Sequence, residues 1–126
     1  MTDINSIKER LHDVSMLTPI SAIDTKALKA EFVGVPIEYT DFLEKVGFGD
    51  VGDVRIYEFP TAPDDIYPKP QSDLSGIVLF GDDYQGYCFG FDTLKNYCLV
   101  EVDPRGNPRL RSEEGFLSLI AGYIPE

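Results

Sequence analysis

The sequence has no tryptophan, one histidine and two cysteines, and its 11 basic residues number half its 22 acidic ones. Each shortage excludes something. Two cysteines cannot build a disulfide scaffold, and Cys88 and Cys98 lack the CxxC or Cys/His spacing of a zinc site, which fits a reducing compartment. His12 is the only imidazole, and on an N-terminal helix it has no evident serine or cysteine partner, so nucleophile–base catalysis has little to start from. A net charge of −11 repels phosphate backbones and anionic lipid surfaces, so neither direct nucleic-acid binding nor a membrane partner is expected. No apolar run approaches the 18 or so residues of a spanning helix, and the first residues lack the basic-then-apolar pattern of a secretory signal. A soluble, cytoplasmic chain is the expectation.

What is present suffices for one core. A chain of 126 residues, 43% apolar and with fifteen Phe and Tyr, can bury roughly two-thirds of the surface its unfolded form exposes, and residues 1–126 are expected to form a single domain. The charge is uneven: residues 47–103 carry 11 acids and 3 bases, which is −8 of the −11. Such a segment suits a basic partner, or serves solubility alone.

Ile4, Ile7, Leu11 and Val14, spaced three, four and three apart behind Asp3, predict an amphipathic helix over 4–14. A second starts near Ser21 or Asp24 and stops at Gly34. A third over 36–46 puts Tyr39, Phe42, Leu43 and Val46 on one face and Gly47 just past its end. The period then changes. Residues 54–59 read as a strand, followed by a loop punctuated by Pro60, Pro63, Pro68 and Pro70. The run Ile77, Val78, Leu79, Phe80 between glycines reads as a central strand covered on both faces.

Residues 87–92 and 97–103 read as a hairpin. A four-residue connection places Asp92 opposite Tyr97 and pairs Phe91 with Cys98, Phe89 with Val100 and Tyr87 with Val102, so Phe89, Phe91, Cys98 and Val100 face the core. Cys88 then lies across from Glu101 on the other face, and the thiols stay unbridged. A turn at 103–106 leads to a helix capped by Ser112, with Glu113 and Glu114 in its first turn and Phe116, Leu117 and Ile120 inward. The sum is an α+β domain: a twisted antiparallel sheet of four or more strands with N-terminal helices and a C-terminal helix.

Gly47, Gly49 and Gly52 match GxGxxG, but the segment follows a helix and precedes a strand, the reverse of a dinucleotide turn, so it reads as a helix end plus a turn. The remaining chemistry is carboxylate. Asp50 with Asp53, Asp64 with Asp65, and Asp82 with Asp83 could supply an acid/base pair or cation ligands, yet none shows the alternating spacing of a calcium loop, and adjacent aspartates on a strand point to opposite faces. No metal or other cofactor is expected. Tyr57, Tyr67, Tyr84 and Tyr87 lie among these acids, as anchoring aromatics do at protein interfaces, although Tyr57 and Tyr87 serve equally well as sheet packing.

Several segments together resemble a known family. Val35-Pro36-Ile37-Glu38-Tyr39-Thr40-Asp41-Phe42-Leu43 ending in Gly47 is similar to an LPxxYxxFLxxxG helix, with Glu31 where members carry a glutamate. Phe80 to Gly86 followed by Phe89-Gly90-Phe91-Asp92 is similar to its central strand, glycine turn and next strand, and residues 112–117 to its closing SFxxFL helix. Over roughly residues 24–120 the order and spacing resemble the SUKH superfamily, which includes fungal cell-wall assembly regulators and bacterial immunity proteins that neutralise polymorphic toxins. The resemblance implies an α+β domain that binds a protein, a cognate toxin above all, and performs no reaction; it brings no site residues with it. The candidate partner surface, read from charge, comprises Asp50, Asp53, Asp64, Asp65, Tyr67, Asp82, Asp83 and Tyr84. A regulatory or scaffolding module for an endogenous protein is the second reading, and a ligand-binding or hydrolytic protein using the aspartates the third.

Overall fold

Among the described residues three helices come first, each started by a local device. Asp3 caps α1 (Ile4–Arg10) in a reciprocal capping box with Ser6, Ser21 caps α2 (Ala22–Glu31) through the Asp24 amide, and Pro36 sets the entry to α3 (Ile37–Lys45). The computed structural model describes residues 3–11 and 15–125; His12 and Val14, the latter expected at the end of the first helix, lie outside the described residues. Tyr39, Phe42, Leu43 and Val46 are all buried on one face of α3 and its cap.

Six strands follow, β1 (Gly49–Val51), β2 (Val54–Thr61), β3 (Ile77–Asp82), β4 (Cys88–Asp92), β5 (Cys98–Val102) and β6 (Pro108–Leu110), and α4 (Phe116–Ala121) closes the chain. They form one antiparallel sheet whose spatial order is the chain order, with β3 and β4 at its centre. The helices cover one face. There Phe116 of α4 meets Tyr39, Phe42 and Phe80 with ring centroids 5.2, 5.3 and 5.0 Å apart. The opposite face carries a smaller core of Tyr67, Leu74, Ile77, Leu79, Cys88, Val100 and Val102, roofed in part by the 62–76 segment.

The hairpin register differs from the sequence expectation by one residue. Asp92 pairs with Cys98, Phe91 with Leu99, Phe89 with Glu101 and Cys88 with Val102. The connection has an extra residue because Asn96 and Tyr97 both take left-handed backbone, φ 56° and 55°. Phe89 and Phe91 do face the helices, but with Leu99 and Glu101; Cys98 and Val100 lie on the other face with Cys88. The thiols are indeed free, for a different reason: they sit four residues out of register, about 13 Å along the strand. Tyr87 precedes β4 and is 39% exposed rather than core-facing.

Three boundaries also depart from the pattern. Pro60 lies inside β2, in the irregular stretch between Ile56 and Thr61 that three-residue β1 does not reach, so its missing N–H breaks no ladder there. β1 occupies what read as a flexible turn. Gly47 (φ 120°) and Gly52 (φ 61°) are required by close approach: a Cβ would come within 2.5 Å of Thr18 backbone and 2.3 Å of the Tyr123 carbonyl oxygen. Finally, Ser112 does not cap α4. The helix starts after Gly115, Glu113 is held by Arg111 at 3.0 and 2.6 Å, and Glu38 of α3 instead accepts the Leu117 amide at 3.2 Å.

One group in the helix-side core is costly. The Tyr39 hydroxyl is buried with no hydrogen-bond partner among the described residues, and burial pushes its pKa up, so it stays protonated. Tyr39→Phe removes the unpaired group and keeps the ring, and should raise the unfolding free energy by about 1 kcal/mol in urea titration; a loss of stability would show that the hydroxyl is satisfied after all.

Candidate functional site

The site lies on the sheet face away from the helices, and strand alternation builds it. In β2, Val54 and Ile56 point to the helix-side core while Arg55 and Tyr57 point outward. A bulge at Phe80 lets β3 return with Gly81 opposite Ile56 and Asp82 opposite Arg55. A side chain on Gly81 would meet the Arg55 carbonyl oxygen at 2.3 Å, so the strands close tightly beneath the site.

Asp82 is the hub. It is 7% exposed, receives Arg55 Nη2 at 2.8 Å and the Tyr57 hydroxyl at 2.6 Å on one oxygen, and the Tyr84 amide at 2.9 Å on the other. The Arg55 guanidinium lies over both the Tyr57 and Tyr84 rings, 5.5 and 5.2 Å from their centroids. Its pKa is raised by the bond to Asp82. The Tyr57 hydroxyl is pushed up by burial and then by the same carboxylate, so it donates and does not ionise. Burial likewise raises the Cys88 thiol, which stays protonated as a packing group.

Tyr84 stands at the rim, 56% exposed and at φ 64°. Three contacts fix it: its amide to Asp82, its ring to Arg55, and its hydroxyl to Asp50 across the sheet on β1. Asp83 shapes the same turn by accepting the Gln85 and Tyr87 amides at 2.8 and 3.2 Å. Opposite, the 3-10 turn Pro63–Asp65 brings exposed Asp65 and Ile66 to the other lip. Between these walls is a cleft of about 480 Å³.

The residues singled out from the sequence therefore divide. Asp65, Asp82 and Tyr84 line the cleft, Asp50 braces its rim and Asp83 its turn. Tyr67 is 7% exposed, its hydroxyl donating toward the carbonyls of Gly86 and Val102 at 3.3 and 3.2 Å, and so pins the 62–76 segment to the sheet. Asp64 borders a separate hollow beside Leu74 and Ser75, and Asp53 sits on the β1–β2 turn, where its amide donates to the Tyr123 carbonyl. Of the six aspartates, only Asp65 and Asp82 line this cleft. Of the two side chains that hold Asp82, Arg55 escaped the sequence reading and Tyr57 entered it only as an anchoring or packing ring, although their i, i+2 spacing beside two inward aliphatics is the signal that marks them. Among the described residues no three His, Cys, Asp or Glu side chains converge as metal ligands, and no helix is long and apolar enough to cross a membrane.

Fold and site together define an α+β domain with helices on one face of a six-stranded antiparallel sheet and a tyrosine-walled, acid-lined cleft on the other. Set against known proteins, the chain matches no family model, no curated protein and no solved structure.

Proposed function

We propose that this chain is a non-enzymatic protein-binding domain of the SUKH kind, an immunity protein that binds a cognate basic toxin domain and blocks its active site by occlusion. A nuclease is the favoured toxin class, because enzymes that handle phosphate backbones are commonly basic. The observation that carries the reading is the cleft rim: exposed Tyr84 is held rigidly beside the carboxylates of Asp50 and Asp82, with exposed Asp65 across the gap. A pre-ordered aromatic next to acid is the combination by which interfaces anchor and steer a basic partner.

The test is capture of the partner from the native cell, its identification, and binding kinetics over a salt series. The Debye length is near 30 Å at about 0.01 M salt and roughly 8 Å at 0.15 M. Asp50→Asn/Asp65→Asn should slow association several-fold at low salt, with the difference shrinking as salt rises. Tyr84→Ala should speed dissociation by at least about fivefold, the effect of losing a 1 kcal/mol anchor. Asp82 is not a steering charge, since Arg55 already neutralises it. Retention of an endogenous housekeeping protein instead of a toxin would favour a regulatory module, and rates indifferent to salt and to both variants would move the interface off this face.

A further inference from the structure

We propose that the cleft between Tyr57, Tyr84, Asp82 and Asp65 is a receptor for one arginine side chain of the bound protein. This deepens the protein-binding reading and rests on it. Charge selects a cation: Asp65 and Asp82 line the cleft against Arg55 alone, and Arg55 is already paired with Asp82 at 2.8 Å. What remains uncompensated is negative, and Asp50 adds to it at the rim.

The walls select a guanidinium over an ammonium. The protein's own Arg55 already lies over both phenol rings, its guanidinium carbon 5.5 and 5.2 Å from their centroids, so these rings take a weakly hydrated guanidinium as a neighbour. Ile66 and Cys88 in the same lining offer apolar surface to an aliphatic stem. The cleft volume of about 480 Å³ leaves room for a side chain beside Arg55. Tyr84 needs no ordering on binding, because its left-handed backbone is already over-determined by contacts to Asp82, Arg55 and Asp50.

The experiment uses the whole chain and three small probes: N-acetyl-arginine amide, its lysine counterpart and its neutral citrulline isostere, titrated while backbone amide NMR signals are followed. The arginine probe should shift Tyr57, Asp65, Tyr84 and Gly86 saturably, the lysine probe more weakly, and citrulline not at all. Asp65→Asn should weaken the arginine probe by roughly threefold to fivefold, the contribution of one partly exposed carboxylate. Tyr84→Leu should weaken it by about twofold to fivefold through lost cation–π contact, while Tyr84→Phe, which keeps the ring, checks that any loss is not unfolding. Equal shifts from citrulline, or shifts spread over the acidic surface without saturation, would overturn the proposal. The two readings fail separately: a captured partner that binds while the arginine probe leaves the cleft untouched removes the receptor only, whereas a saturable cleft in a chain that retains no protein removes the binding partner.

Discussion

Phe116→Ala is expected to lower the unfolding free energy by about 3–5 kcal/mol. Phe116 is 1% exposed and its ring edges onto Tyr39, Phe42 and Phe80 at once, so truncation opens a void at the junction of α3, α4 and the central strand. Three rings held on two other elements, α3 and β3, cannot close that gap without moving the elements. Since domains of this kind are stable by only about 5–15 kcal/mol in total, the variant should unfold at a much lower denaturant concentration than Lys95→Ala, which alters an exposed residue. Comparable midpoints would mean that α4 is not packed on the sheet as described.

The second large effect concerns the one carboxylate that β5 turns toward the helices. Glu101 is 6% exposed and shared by two guanidinia, Arg109 at 2.6 Å and Arg111 at 2.5 Å. The two are not equivalent. The Arg109 side chain is 72% exposed, whereas Arg111 is 18% exposed, lies over the Phe89 and Tyr123 rings, and also binds Glu113. Arg111→Met should therefore cost about 3 kcal/mol, because it leaves a buried carboxylate with a solvent-screened partner; Arg109→Ala should cost less than about 1 kcal/mol. The Arg111 bond also lowers the Glu113 pKa. A depressed carboxylate contributes stability that is full above its unfolded value and lost as pH falls through the lower folded one. The parent should thus lose stability in that acid window, and Arg111→Met should lack this component. Denaturant titrations of parent and variants from neutral pH down through the carboxylate range check both statements, and equal costs for the two arginines would contradict the first.

What the sequence revealed follows from how many answers each pattern permits. The α3 stripe of Tyr39, Phe42, Leu43 and Val46 has one solution, a helix with that face inward, and the structure has it. The hairpin pattern has two. Cys88, Val100 and Val102 are buried on one face and Phe89, Phe91 and Leu99 on the other, so a slip of one residue still pairs apolar with apolar and alternation loses its power to choose. The register was set by two consecutive left-handed residues, Asn96 and Tyr97, which no hydrophobic pattern announces. Likewise Ser112 and Glu113 form a plausible cap in isolation, and the local Arg111–Glu113 pair together with the distant Glu38–Leu117 contact decides otherwise. At the candidate site, acidity pointed to the turn that borders the cleft but carried no sign of the burial of Asp82, which depends on Arg55 and Tyr57 from a strand 25 to 27 residues away.

The connectivity has a consequence for the chain while it is being made. Because every strand pairs with its neighbour in sequence, each part of the sheet can form as soon as the next strand appears. The helix layer cannot. Phe116 completes the cluster around Tyr39, and Arg10 reaches the carbonyl of Ile124, 114 residues further on. A ribosome adding about 5–20 residues per second delivers Phe116 roughly 4–16 s after Ile37. For those seconds the apolar side of α3 is made but unfinished, and the nascent domain depends on its helical start staying soluble until its last turn arrives.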